Sequence, residues 1–364
     1  MEQSLYPQYV QRYMPQLVSS IVDKLNTNDE TEVCNYLYQM LLARTYSVDG
    51  KWESLIGEHG RVAADVVAMD SSLPLKKRQA IRKATGDIPK IGMELYLNEK
   101  QLTDLDTMIA LNMDEEQIAA KLFEDMPRVI AGVYERLEMM FLQGLSTGVA
   151  LTSDDNNVGT GVRIDYGFSE SNKLGVEVSW KDNPTTATPL DDINRVLAKA
   201  REDGNVLNVA YTDSATINAL LATKQVRDLY AFIAGYPGEN VPVPTLEQAN
   251  TAIRAKYKFT IQEIDRTVKV EKNGKQTNIN PWQEGIMTFA PAGQLGQIAW
   301  TRLAEMSHPV AGASYSTADD YILVSKYRVN RPSLREYTSS QARVIPVITN
   351  VDRLYQLDTK KVQE

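Results

Sequence analysis

Apolar side chains recur at three- and four-residue steps through the first sixty residues, the pattern of a helical arm. Val10, Met14, Leu17, Ile21 and Leu25 make the first stripe, and Pro7 and Pro15 confine its helix between or after them. Thr27-Asn28-Asp29-Glu30 is a capping-box pattern, in which the Thr and Glu side chains satisfy orphan amides reciprocally. The helix it announces carries Val33, Leu37, Met40 and Leu41 on one face, with Cys34 on the same apolar side. Asp49-Gly50, Gly57 and Gly60 are turn signals that follow it.

Between 61 and 98 the pattern changes to two short apolar runs, Val62, Val66, Val67 and Met69, then Ile88, Ile91, Leu95 and Leu97. Ser71-Ser72-Leu73-Pro74 and a cationic stretch separate them, which predicts a long two-stranded hairpin with an elaborated tip. The longest helical stretch follows over 99–146. Ile118, Leu122, Met126, Val129, Val133, Leu137, Met140 and Phe141 keep one face apolar, and Pro127 must kink or restart the helix. From Pro127 to Ser146 it would run ~30 Å.

A period-2 pair comes next. Val162, Ile164 and Tyr166, then Val176, Val178 and Trp180, predict a hairpin joined through Gly167–Gly175 with one wet face. Past Asn183-Pro184 the pattern is mixed. Thr188-Pro189 opens a helix that ends at Gly204, Val206–Tyr211 reads as a strand, and Asp213 caps the next helix. Thr245-Leu246-Glu247-Gln248 is a second capping box, and Asn273-Gly274 is a type I′ hairpin signal. Residues 321–357 are mostly extended, punctuated by Pro332 and Pro346.

Composition narrows the function. A chain of 364 residues, 43% hydrophobic and 24% charged, has ample length to bury a core as two average domains or one large one. One Cys excludes an intramolecular disulfide, and two His make histidine-rich metal chemistry a poor fit. The net charge of −8 disfavours a whole-surface nucleic-acid binder. Tyr, at 18, outnumbers Phe at 6 and Trp at 4, which suits surfaces that become covered by protein. The start, Met1-Glu2-Gln3-Ser4, has no signal-peptide pattern, and no apolar run approaches the ~20 residues of a bilayer span. These features predict a soluble protein made in a reducing cytosol, with no membrane contact.

No catalytic signature survives its structural context. Gly144-Leu145-Ser146-Thr147-Gly148 fits G-x-S-x-G, the nucleophile elbow of serine hydrolases. That elbow leads from a strand into a helix, whereas here a helix precedes and strands follow, so a helix stop is the better reading. There is no H-E-x-x-H, P-loop, dinucleotide fingerprint or EF-hand loop, and Gly159-Thr160-Gly161 reads as a turn. His59 and His308 read as loop residues, and Cys34 as a small core residue. No catalytic, metal or cofactor-binding residue is assigned.

Charge supplies the remaining signal. Lys76, Lys77, Arg78, Arg82 and Lys83 put five cations in eight residues without an acid. Residues 61–100 hold eight basic and five acidic groups, whereas 101–140 hold three basic and nine acidic, including Asp114, Glu115, Glu116, Glu124 and Asp125. The first three of those acids also suit a helix N-terminus. The basic run is a solvated loop, a nucleic-acid patch or a contact for an acidic protein surface. No aromatic lies within 71–90 to support the second. A basic hairpin reaching a neighbour's acidic helix would be a head-to-tail contact, which builds rings or shells.

The order of elements resembles a tailed-phage major capsid protein, of the lambda-type major capsid protein E family with the Hong Kong 97 fold. The residues that carry the likeness are Arg61-Val62-Ala63-Ala64-Asp65 through Ile88-Pro89-Lys90-Ile91, Lys326-Tyr327-Arg328-Val329-Asn330-Arg331-Pro332, Ala342–Val347 and Asp352–Leu357. The resemblance implies an α+β fold: an N-terminal arm (1–60), an E-loop hairpin (61–98), a spine helix with the first peripheral-domain hairpin (99–185), an axial domain (186–325) and a C-terminal return into the peripheral domain (326–364). Axial loops near Tyr236-Pro237-Gly238 or Asn273-Gly274 would line hexamer and pentamer centres.

The implied function is an icosahedral head that encloses double-stranded DNA, assembled in the host cytoplasm and resident in the virion. Partners would be copies of itself, portal, scaffold and decoration proteins, and weakly held DNA. Two features depart from the family: the arm is helical where the family's is often extended, and no coiled coil precedes it, so scaffold would be a separate protein. Some relatives crosslink a Lys to an Asn, for which Lys76, Lys77, Lys83 or Lys90 and Asn330 or Asn350 have suitable types. A cargo-enclosing, encapsulin-like nanocompartment shares the fold, and a serine hydrolase using Ser146 is the rival of a different class.

Overall fold

The computed structural model describes residues 1–26, 36–56, 66, 69, 82–152, 161–236 and 241–363. It comprises two compact units, one of Met1–Trp52, Gly86–Met139 and Gln297–Val347, the other of Glu53–Thr85, Met140–Gly296 and Ile348–Glu364. Elements are numbered along the chain.

The first unit begins with α1 (Pro7–Asn26), which buries Val10, Met14 and Val18. Pro7 sits at the first turn, where its missing amide costs nothing. The helix runs on through Pro15 instead of stopping. Pro15 faces solvent, so its lost hydrogen bond lies on the outer side while the buried stripe holds the helix together. The second arm helix is shorter than its periodicity suggests: α2 (Leu37–Leu41) is one turn and passes directly into β1 (Leu42–Tyr46). The capping box at Thr27 and Cys34 lie outside the described residues.

The sheet of this unit runs β1, β13 (Gly296–Thr301), β16 (Arg335–Ile348), β15 (Ile322–Val329) and β14 (Ser314–Ala318), with β4 (Lys90–Leu97) also paired to β16. One stretch of β16 is antiparallel to two strands at once, so Tyr337 stands between Tyr96 and Tyr327. The single long helical stretch is resolved into α3 (Glu99–Ala110), α4 (Glu115–Leu122) and α5 (Met126–Thr147). Asn98 and Gln101 form a capping box on α3, and Pro127 lies in the first turn of α5, where a restart was expected. Every apolar residue of the expected stripe, from Ile118 to Phe141, is buried. Against the sheet, Ser340 Oγ donates to the Val129 carbonyl at 2.5 Å.

The second unit holds a five-stranded sheet in the order β7 (Lys173–Val176), β17 (Tyr355–Val362), β12 (Ile286–Ala290), β8 (Val209–Thr212) and β9 (Thr260–Glu263). The outer pairs are parallel and the inner pairs antiparallel. Helices α6 (Pro189–Glu202), α7 (Ser214–Ala222), α8 (Lys224–Ala234) and α9 (Leu246–Tyr257) contribute Ile193, Val196, Leu220, Val226 and Ile253 to a core with Met287 and Phe289. The local signals are realised: Asp213 accepts from the Thr216 amide, Thr245 and Gln248 form a capping box, and Asn273 and Gly274 both have positive φ between β10 (Val268–Lys272) and β11 (Lys275–Ile279).

Strand pairing sorts these segments in three ways that the local pattern does not set. The stem of the long hairpin is β2 (Lys51–Ile56) with β3 (Arg82–Asp87), so it begins before residue 61. The hairpin expected between 162–166 and 176–180 does not form: β6 (Val162–Asp165) pairs with β5 (Val149–Thr152), and β7 pairs parallel with β17. The second strand also ends at Val176, so Val178 and Trp180 lie beyond it, and period-2 alternation named neither its bounds nor its partner. Finally, the C-terminal return is divided, with β15 and most of β16 in the first unit and β17 an interior strand of the second.

Candidate inter-subunit surface

Of the basic run, Lys76, Lys77 and Arg78 lie outside the described residues, and Arg82 and Lys83 begin β3. The five acids separate into two groups at opposite ends of α4, a helix of eight residues that spans ~12 Å. Asp114, Glu115 and Glu116 are exposed at its N-terminus, where the helix dipole favours carboxylates. Glu124 and Asp125 occupy the break before α5.

These carboxylates are unequally available. Glu115 receives Arg12 Nη1 at 2.5 Å and the Tyr13 hydroxyl at 3.1 Å, both from α1. Glu124 pairs with Lys121 at 2.7 Å. Asp125 is 9% exposed and 3.8 Å from Arg128, and burial, reinforced by Glu124, raises its carboxyl above the ordinary range. Asp114 and Glu116 are exposed and have no ion pair among the described residues.

The arm docks on its own unit through polar contacts just before its buried stripe. The Tyr6 hydroxyl donates to Asp106 at 2.8 Å, Glu2 bridges to Arg328 at 3.0 Å, and Asn330 donates to Glu2 at 2.5 Å. Asn330, a candidate for crosslinking by type, is thus engaged with the arm; Asn350 holds a left-handed backbone conformation.

Residues 144–148 are accounted for by packing. Ser146 is 1% exposed; its Oγ donates to the Gln143 carbonyl at 3.2 Å and accepts from the Gln283 amide at 3.2 Å. A Cβ on Gly144 would stand 2.4 Å from the buried Tyr166 ring, and Gly148, at φ +81, closes the helix with its amide on the Gly144 carbonyl. The two glycines admit a ring and end a helix, and the serine ties a loop to that end. His308 is exposed, and His59 lies outside the described residues. No group of His, Cys, Asp or Glu that could hold a metal occurs among the described residues, and no described helix is long and apolar enough to cross a membrane.

Two surfaces escaped the sequence reading. At the end of α8, Phe232 is 85% exposed, and Ile233, Tyr236 and, further along the chain, Val243 are exposed too. The available signal was charge depletion: Glu239 is the sole charged residue in 229–246. The second is a row on one sheet face, where Arg335 lies 4.2 Å over Tyr96, and Tyr327 stacks on Tyr337 at 5.3 Å. Those contacts join three strands, so no local pattern exposes them.

None of the curated protein sequences compared matches the chain. Solved structures do. The proposed capsid protein of a prophage of E. coli CFT073 superposes with a TM-score of 0.58 at 11% identity, covering 94% of this chain and 98% of that one. A phage-related protein of Bordetella bronchiseptica RB50 gives 0.51 at 10%, covering 96% and 97%. The cyanophage A-1(L) capsid subunit gives 0.44 at 12%, covering 94% and 98%. The fold is the α+β, Hong Kong 97-like capsid fold. The family model described as phage major capsid protein E matches residues 35–359, which sets the nanocompartment and hydrolase readings aside. The chain belongs to the phage major capsid protein E family, structural proteins of the virion shell rather than enzymes.

Proposed function

We propose that the chain joins copies of itself into the hexamers and pentamers of an icosahedral head around double-stranded DNA, through a charge contact between neighbours. The β2–β3 hairpin acts as the E-loop, and Lys76, Lys77, Arg78, Arg82 and Lys83 meet the α4 segment of an adjacent copy at Asp114, Glu115, Glu116, Glu124 and Asp125. The observation that carries this reading is that Asp114 and Glu116 are exposed, with no ion pair among the described residues, on a segment opposite in charge to 61–100. Such contacts set register and partner choice more than raw affinity.

In this scheme α5 is the spine helix, the first unit is the peripheral domain, and the second is the axial domain. The neutral apolar end of α8 faces the rotation axis of a capsomer. Portal, scaffold and decoration proteins are further partners, and an acidic subunit holds packaged DNA weakly.

Changing Lys76, Lys77 and Arg78 together to Glu tests the contact. Electron microscopy should show no shells while circular dichroism shows a folded subunit. Normal shells from this variant would refute the charge contact.

A further inference from the structure

Lys326 on β15 is a fully buried cation that the shell surface does not use. Its Nζ donates to the Leu122 carbonyl at 3.0 Å and to Thr338 Oγ1 at 2.9 Å, and lies 5.4 Å from the centre of the Phe123 ring. Leu122 ends α4 and Phe123 caps it, so the amine holds the carbonyl end of α4 where the chain breaks before α5. Two carboxylates bear on it. Asp125 lies in the break itself, with Arg128, Lys121 and Glu124 around it. Glu336 on β16 is fully buried; its Oε2 accepts from the Leu5 amide at 3.4 Å, and its Oε1 has no hydrogen-bond partner. On β15, two residues from Lys326, Arg328 is turned to Glu2.

We propose that Lys326, backed by Glu336, is a proton-dependent clasp on the break between α4 and α5. In the closed clasp, burial disfavours the charged amine more than Glu336 and Asp125 favour it, so its pKa falls to about 8. When the break opens and the amine reaches water, the pKa returns to about 10.4. The open form then binds the proton more tightly. Opening is therefore easiest below pH 8 and grows harder as pH rises from 8 towards that value.

Hydrogen exchange of the full-length subunit tests this, followed by mass spectrometry on peptides covering 118–130 and corrected for intrinsic rates. Between pH 7 and 10 the opening equilibrium should fall by up to about 100-fold. Lys326→Met should give a flat profile. Glu336→Gln, which removes an anion that favours the charged amine, should move the onset of the fall to lower pH. A wild-type profile that is flat, or one that Lys326→Met reproduces, would overturn the clasp. Should Lys326→Met not fold, Lys326→Arg, charged across the whole range, provides the flat reference.

Discussion

Glu138 is 1% exposed, and both of its oxygens accept backbone amides, from Leu37 and from Tyr38, each at 3.0 Å. A buried carboxylate so placed satisfies the orphan donors that open α2 and ties the arm to α5. Glu138→Ala strands both donors and should lower unfolding free energy by about 2–4 kcal/mol, measured by urea denaturation. Glu138→Gln, which keeps one acceptor oxygen, should lose less. At the G-x-S-x-G match the order of effects is diagnostic. Gly144→Ala forces a methyl into the Tyr166 ring and should cost about 1–3 kcal/mol. Ser146→Ala removes one acceptor from the Gln283 amide and should cost about 1 kcal/mol. A catalytic serine would show the opposite emphasis, activity lost with stability kept. The caps at Asp213 and Thr245 were legible because a cap is settled within four residues, though Thr188, read the same way, makes no cap hydrogen bond. The purpose of Gly144 was not, because the ring it admits is a later strand's neighbour.

Elements were legible to the extent that their partners are local. The stripe on α4 and α5 gave its buried face correctly down to single residues, and Asn273-Gly274 located β10 and β11. What the pattern could not supply was long-range choice. The alternation at Val176, Val178 and Trp180 misplaces the strand: β7 ends at Val176 and lies parallel to β17, with Leu174 opposite Leu357. A parallel pairing needs a long connection, so no turn residue announces it. The consequence is that β17 completes the second unit's sheet, between β7 and β12. Deleting residues 354–364 should therefore expose Met287 and Phe289, leave β7 without its partner and abolish cooperative unfolding of that unit. Limited proteolysis should then cut within 161–296 under conditions where the full chain resists.

For the whole molecule, the proposed assembly divides the net charge of −8 between two kinds of contact. One is charged, the cationic run of the sequence against the acids of α4. The other is neutral, the end of α8. The distinction has a symmetry argument behind it. Around a rotation axis the same residue of each copy faces its equivalents, so any charge there repels itself, whereas a head-to-tail contact joins unlike surfaces. A segment with Glu239 as its single charge, and with Phe232 85% exposed, suits the first position, and the charged segments suit the second. The two contacts should respond differently to salt. Raising ionic strength from 0.1 to 1 M shortens the screening length from about 10 to 3 Å, which weakens the charged contact and leaves the apolar one intact. Light scattering should then show slower shell formation at high salt, with capsomer-sized rings persisting in sedimentation. Phe232→Glu should do the reverse, eliminating rings at every salt concentration. It should leave the subunit's melting temperature unchanged, because so exposed a side chain contributes little to the core. Rings that survive Phe232→Glu would remove α8 from the axis and direct attention to the Asn273-Gly274 hairpin instead.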